Sequence, residues 1–303
     1  MRGFKPMQCV VLFVSLLVIL HFVSFLNACK EKIHVTVTEH NEGLQPISPL
    51  PASEQLDHPM VRDTDNKPQD VHRAMMKWRR LVGELTCQLT NNDGVGPTGG
   101  WCLKPTGEMW GKCRAAEHHF SADIGIGRTI IKYLTPPGQG GKIHLLDIGA
   151  GVGQYGCFLE SENSNIVWQG YDGAENIESF TNNWVKWIDV TDKQHNTIEP
   201  PGFVADWIMS LEVGEHISPA ATDSLLNLLD RHNRYGIIIS WALPGQGGHS
   251  HINLKTNSEV IEALGKRGYF QDKWCLDFQT EARNVAVYGW FRHTFMVFKR
   301  VLL

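Results

Sequence analysis

The stretch Leu145-Leu146-Asp147-Ile148-Gly149-Ala150-Gly151-Val152-Gly153 decides how this chain folds. An apolar run ends in an acidic residue and breaks into alternating glycines. A helix-compatible run, Gln154 to Glu160, follows directly. Glycines at such a turn relieve Cβ clashes, so backbone amides at a helix N-terminus can approach a ligand closely. Open α/β sheets use this geometry for nucleotide-like cofactors. The acid at the strand end argues against a phosphate there and for a cationic or hydroxyl-bearing group.

Outward from the turn, short apolar runs alternate with helical segments, as a parallel sheet with crossover helices requires. The pattern predicts strands over 143–148, 166–171, 185–188, 205–210 and 235–241, then 270–278 and 286–299, the last in two pieces. Helices are expected near 154–161, 175–181, 220–232 and 256–267, with Pro219 opening the third. Upstream, Val71 to Leu89 has helical spacing with Met75, Trp78, Val82 and Leu85 on one side. Asn92 to Gly111 is glycine-rich, holds Trp101 and Trp110, and reads as an ordered lid or cap. His118, His119 and Asp123 open a further helical stretch that Pro136-Pro137 stops.

Two frames fit the glycine turn. Gly151-x-Gly153-x-x-Gly156 satisfies the dinucleotide-binding pattern. Asp147-x-Gly149-x-Gly151-x-Gly153 resembles motif I of class I S-adenosylmethionine-dependent methyltransferases. Later positions join the second frame in the family's order: Tyr171-Asp172-Gly173, Trp187-Ile188-Asp189-Val190, and the run from Asp206 through Ser210-Leu211-Glu212 to His216. The resemblance spans roughly residues 115–300. It implies an α/β fold, a Rossmann-like seven-stranded methyltransferase sheet with helices on both faces, over residues 143–303. Residues 71–142 form an N-terminal helical and loop extension. It further implies cofactor contacts from Asp147, Gly149, Gly151 and Gly153 at the turn and from Glu212. Asp172 would accept from the ribose hydroxyls and Asp189 from the adenine amino group.

Glu212-Val213-Gly214-Glu215-His216 is the second informative cluster. If a helical turn begins after the strand, positions 212, 215 and 216 share one face. Two carboxylates and an imidazole suit Mg²⁺ or Mn²⁺ better than a closed zinc site. The string resembles the Glu-x-x-Glu-His of small-RNA 3′-end ribose methyltransferases and quinone-pathway O-methyltransferases. In the RNA enzymes a further histidine completes the site; here His249 or His251 would supply it, giving Glu212, Glu215, His216 and His251 as metal ligands. A histidine free of metal would serve as general base, which makes His216, His249 and His251 the catalytic candidates. The bland alternative is a helix cap lining the crevice.

A hydrophobic content of 42% with ten tryptophans suffices for a sizeable core. A formal charge of −4 with scattered Lys and Arg argues against a nucleic-acid partner, which would require a basic patch. Cys9 to Leu26 is an apolar run longer than the ~7–15 residues of a cleavable signal peptide and close to the ~20 that span a bilayer. Arg2 and Lys5 precede it, while Lys30, Glu31 and Lys32 partly offset each other after it, so the positive-inside bias puts the N-terminus in the cytoplasm. Residues 1–8 are then a cytoplasmic tail, 9–28 a signal-anchor transmembrane helix and 29–70 a proline-bearing disordered stem. This is the plan of a single-pass type II membrane protein facing the ER or Golgi lumen. Cleavage after Ala28, and hence secretion, stays open.

An oxidising lumen permits disulfides. One bridge among Cys87, Cys102 and Cys113 is expected, with connectivity not readable from spacing. Cys157 reads as a buried small hydrophobe. The function implied is S-adenosylmethionine-dependent methyl transfer, first to a hydroxyl, with assistance from Mg²⁺ or Mn²⁺. The acceptor would be a small molecule or glycan. A nicotinamide-linked oxidoreductase and a catalytically idle cofactor-binding member of the fold are the alternatives.

Overall fold

The computed structural model describes residues 68–89, 94–96, 98–136, 140–163, 165–193, 196 and 198–301. The expected tail, the anchor over 9–28 and all of the stem but its last residues lie outside the described residues. No helix among the described residues is long and apolar enough to cross a membrane.

Leu145 and Leu146 show how the sheet is built. Successive strand residues point to opposite faces, and the two leucines enter different cores. Strand β3 (Ile143–Ile148) therefore carries apolar side chains on both faces, as a strand covered on both sides must. In the extension before it lie α1 (Pro68–Leu89), the hairpin β1 (Pro105–Trp110) and β2 (Cys113–Ala116), and α2 (Ile124–Leu134). After β3 come α3 (Gln154–Glu162), β4 (Ile166–Asp172), α4 (Ile177–Phe180), β5 (Val185–Trp187) and β6 (Ala205–Ser210). Then follow α5 (Thr222–Arg231), β7 (Asn233–Ile239), α6 (Asn257–Gly265), β8 (Tyr269–Phe270), α7 (Lys273–Val285), α8 (Phe291–Thr294) and β9 (Met296–Arg300).

The seven strands lie in the order β5-β4-β3-β6-β7-β9-β8. From β5 to β7 all pairs are parallel, and β9 runs antiparallel between β7 and β8. The strand order reverses between β3 and β6. This switch point opens a crevice beyond the strands' carboxyl ends, where open α/β sheets take their ligands. One face is packed by Ile126, Ile130, Leu159 and Phe278, the other by Leu225, Leu228, Val260 and Leu264.

The early strands fall where the sequence puts them, but residues 273–285 are helical. Cys275, Phe278 and Ala282 recur at helical spacing and are buried, and Asp272 caps the helix by accepting from Cys275 N at 2.9 Å. Together these override the strand-like aromatic run. The stretch expected as a two-piece strand over 286–299 is instead the short helix α8 followed by β9. Helix α1 also differs in how it faces. Met75, Trp78, Val82 and Leu85 are exposed, while ion pairs of Arg79 with Asp189 and Arg80 with Glu178 fix the helix from beside and behind that stripe.

Two disulfides tie the extension down. Cys87–Cys102 joins α1 to the loop before β1, and Cys113–Cys157 joins β2 to α3. The first is the bridge expected among the three neighbouring cysteines. The second corrects the reading of Cys157 as an unpaired apolar filler. Cys275 is free and buried.

Candidate functional site

The glycine turn is held by β4: Gly149 N and Ala150 N both donate to Tyr171 O, at 2.8 and 2.9 Å. Gly149 and Gly153 have φ of +76° and +82°, a region costly for other residues. A Cβ on Gly149 would collide with Val213, and one on Gly153 with Trp184. Glycine is therefore required twice over, by backbone conformation and by space.

Two carboxylates face the turn. Asp172 Oδ2 accepts from Gly151 N and Oδ1 from Ala174 N, both at 2.8 Å. Burial raises its pKa, opposed by these amides and by His119. Asp147 is buried at the end of β3 and accepts from Trp168 Nε1 at 3.1 Å. Burial lifts its carboxyl to about 7, against the pull of the Trp168 indole.

Beyond β6 the backbone takes an unusual path. Glu212 has φ +56°, left-handed for a non-glycine residue, a strain that persists only where the surroundings enforce it. Ser240 Oγ accepts from Glu212 N and donates to Glu212 Oε1, both at 2.8 Å, and Gln246 Nε2 reaches Oε2 at 3.3 Å. A 3₁₀ turn, Gly214–His216, follows, so positions 212, 215 and 216 do not share one α-helical face. Glu215, His216 and His251 instead converge, with one ligand atom from each within 4.8 Å of the others. Glu212 is bonded to Ser240 and Gln246 and is not one of this trio.

Glu215 is fully buried, and neither of its carboxylate oxygens has a hydrogen-bond partner of good geometry; His216 Nδ1 is also unpartnered. Burial pushes the Glu215 carboxyl well above the ordinary range, and the Glu212 charge adds to it. Burial lowers His216 to about 4, with His251 acting in the same direction. Unsatisfied buried groups of this kind are rare and require a reason.

The extension roofs the crevice. Thr98 Oγ1 donates to Gly173 O at 2.9 Å, and Leu103 and Asn176 exchange two hydrogen bonds of 2.9 Å. Gly100 passes so near the Gly173–Ala174 backbone that a Cβ would collide. The roof presents Trp101, whose ring lies 5.0 Å from His119, 5.6 Å from His216 and 5.4 Å from His249. His118 and His249 stack 4.7 Å apart at 5°. Beneath is a cavity of about 490 Å³, within the range of small-molecule sites.

The cavity wall contains Asp147, Gly149, Gly151, Asp172, Glu212, His216, His249 and His251, all expected from the sequence. Gly153 stands just behind as the cap of α3. Asp189 does not reach the wall, where Val190 stands instead. Its carboxylate accepts from Thr191 N and Oγ1, at 2.9 and 2.6 Å, and pairs with Arg79. Sequence reasoning named Trp101 only as part of a lid and missed its meeting with the histidines. The flanking Cys102 was the available signal. Among the described residues, no Lys or Arg lines the cavity.

No protein-family model matches the chain, and no curated protein matches it in sequence. Solved structures do. Magnesium protoporphyrin IX methyltransferase of Synechocystis PCC 6803, with bound S-adenosylmethionine, is 15% identical over 59% of this chain and 82% of its own, with a TM-score of 0.40. Phosphoethanolamine N-methyltransferase 2 of Haemonchus contortus is 20% identical over 52% of this chain and 41% of its own, with a TM-score of 0.38. The [4+2]-cyclase SpnF is 13% identical over 62% and 85%, with a TM-score of 0.41. Likenesses this distant carry nothing about the reaction. By strand order and by the geometry of its glycine turn, the chain has the class I methyltransferase fold.

Proposed function

We propose that this chain is an S-adenosylmethionine-dependent methyltransferase acting on an oxygen acceptor. The observation that carries the reading is the charge of the crevice. Asp147, Asp172 and Glu212 line it without any Lys or Arg, and the Gly151 amide, which a bound diphosphate would need, is already engaged by Asp172. Such a wall suits a sulfonium cation and a ribose diol, and it repels the diphosphate of a nicotinamide cofactor. Asp172, held by two amides, keeps lone pairs for the ribose hydroxyls. The cofactor, when bound, supplies an electrophilic methyl group. The residues of this chain then act by positioning, which alone is worth several kcal/mol of barrier, ~7–11 in the best-oriented cases.

The Glu215–His216–His251 trio fits a divalent ion. One carboxylate with two imidazoles is a common donor set, and a cation would satisfy the orphaned Glu215 oxygens and His216 Nδ1. A bound divalent transition-metal ion, which two imidazoles suit better than Mg²⁺, would act as a Lewis acid and lower the pKa of a coordinated hydroxyl. With His216 and His251 so occupied, His249 is left at the cavity wall as general base. Visible absorption of the Co²⁺-loaded protein tests the trio independently of activity. A ligand-field spectrum that Glu215→Gln removes is expected, and a spectrum equal to that of free Co²⁺ would end the metal assignment.

The full chain should bind S-adenosylmethionine saturably in equilibrium dialysis, and Asp172→Ala should abolish binding without changing the circular dichroism; unaltered affinity would refute the ribose assignment. We further place the domain on the luminal side of a membrane held by residues 9–28, a placement the two disulfides support. Protease protection in sealed microsomes is expected, and rapid digestion would reverse the topology.

A further inference from the structure

Three features of the cavity bear on the acceptor. The first is size: the roof is pinned by the Cys87–Cys102 bridge and by the bonds of Thr98 and Leu103, and about 490 Å³ must hold cofactor and acceptor together. Pockets of ~300–1,000 Å³ hold one drug-sized ligand, so the room beside a cofactor is that of a single small ring. The second is charge: the wall has three carboxylates and no Lys or Arg, which leaves a phosphate or carboxylate on the acceptor without a counter-charge from the protein.

The third is shape. The acceptor side is walled by flat rings: Trp101, the His118–His249 pair at 5° to each other, and Trp290. The indole Nε1 atoms of Trp101 and Trp290 are buried and have no partner among the described residues. Buried indole N–H groups ordinarily have one. Flat faces stack on a flat ring.

We propose that the acceptor is a small, uncharged, hydroxylated aromatic ring, packed against the flat-ring wall formed by Trp101, the His118–His249 pair and Trp290. The proposal rests on the methyltransferase reading. In the step itself the phenolic O–H bond breaks and its proton passes to solvent water. An oxygen lone pair forms the new O–CH₃ bond, and the C–S bonding pair departs with sulfur, turning the sulfonium of S-adenosylmethionine into a neutral thioether.

The test is calorimetric and uses the full chain saturated with S-adenosylhomocysteine. Catechol, phenyl phosphate and methyl glucoside are titrated in turn. Catechol is expected to bind saturably and at least tenfold more tightly than either of the others. Trp101→Ala should weaken catechol at least tenfold while S-adenosylhomocysteine affinity stays within twofold. Trp101→Phe, which keeps a ring but loses the N–H, should fall between. Tighter binding of phenyl phosphate would overturn the charge argument, and tighter binding of methyl glucoside would replace the aromatic ring by a sugar. Failure of catechol on protein that has taken up S-adenosylhomocysteine would refute the acceptor class alone. Failure to take up S-adenosylhomocysteine at all would remove the underlying reading, and the proposal with it.

Discussion

Replacing Asp147 by Asn should stabilise the ligand-free protein and cripple it as a cofactor site. The carboxyl is 3% exposed, and burial lifts its pKa from 3.8 to about 7. A folded-state value above the unfolded one means that the folded protein holds the proton more tightly. The stability this proton confers is complete below the unfolded value and is lost as pH rises through the folded one. At ~1.36 kcal/mol per unit, ionised Asp147 costs the ligand-free protein about 4 kcal/mol at pH 8 as an upper bound. Water entering an open crevice reduces this to about 2–4 kcal/mol. Asn carries no charge yet keeps an oxygen for Trp168 Nε1 to donate to. The variant should therefore melt roughly 5–15 °C higher than the wild type at pH 8, from ~2–4 °C per kcal/mol in a fold of this size. The gain should shrink towards zero near pH 4. Thermal unfolding by circular dichroism at the two pH values measures it, and S-adenosylmethionine affinity should fall in the same variant. A gain that is absent at pH 8, or equal at both pH values, would refute the account of Asp147 as a strained buried acid.

Because Glu215 carries a raised pKa, a metal must displace its proton, so Co²⁺ affinity should rise with pH and Glu215→Gln should flatten that dependence; isothermal titration at three pH values checks this. Loss of the Cys87–Cys102 bridge, which closes 15 residues, should cost about 3 kcal/mol, and loss of Cys113–Cys157, which closes 44, about 4 kcal/mol. Urea unfolding of the two Cys→Ser variants reads both, and neither should matter if the protein is reduced in its working state. Asp272→Ala removes the cap of α7 and should cost about 1 kcal/mol. A neutral result would weaken the explanation of why residues 273–285 are helical.

What the sequence disclosed is what local pattern encodes. The glycine turn after Asp147, the acid closing β4 and the inner strands with apolar side chains on both faces each depend on residues near in sequence, and all lie where they were read. Residues 270–278 differ from the strand expected there: Phe270, Trp274 and Phe278 recur every four residues, and with the Asp272 cap and the buried Cys275, Phe278 and Ala282 that spacing is helical. Other features depend on distant partners. Arg79 reaches Asp189 across 110 positions and holds it away from the cavity wall, and Cys113 selects Cys157 rather than a nearer cysteine. Glu212 takes a left-handed backbone that only its contacts with Ser240 and Gln246 explain. The histidines could be named from the sequence, but their gathering around Trp101 belongs to the tertiary fold.

An acidic crevice whose turn amide is already engaged by Asp172 should hold a sulfonium cofactor and not a dinucleotide. Calorimetric titration of the full chain with S-adenosylmethionine, S-adenosylhomocysteine and NAD in parallel tests it most directly. Saturable binding of the first two, with no heat from NAD, is the predicted result. Binding of NAD alone would contradict the account and return the Gly151-x-Gly153-x-x-Gly156 frame to first place.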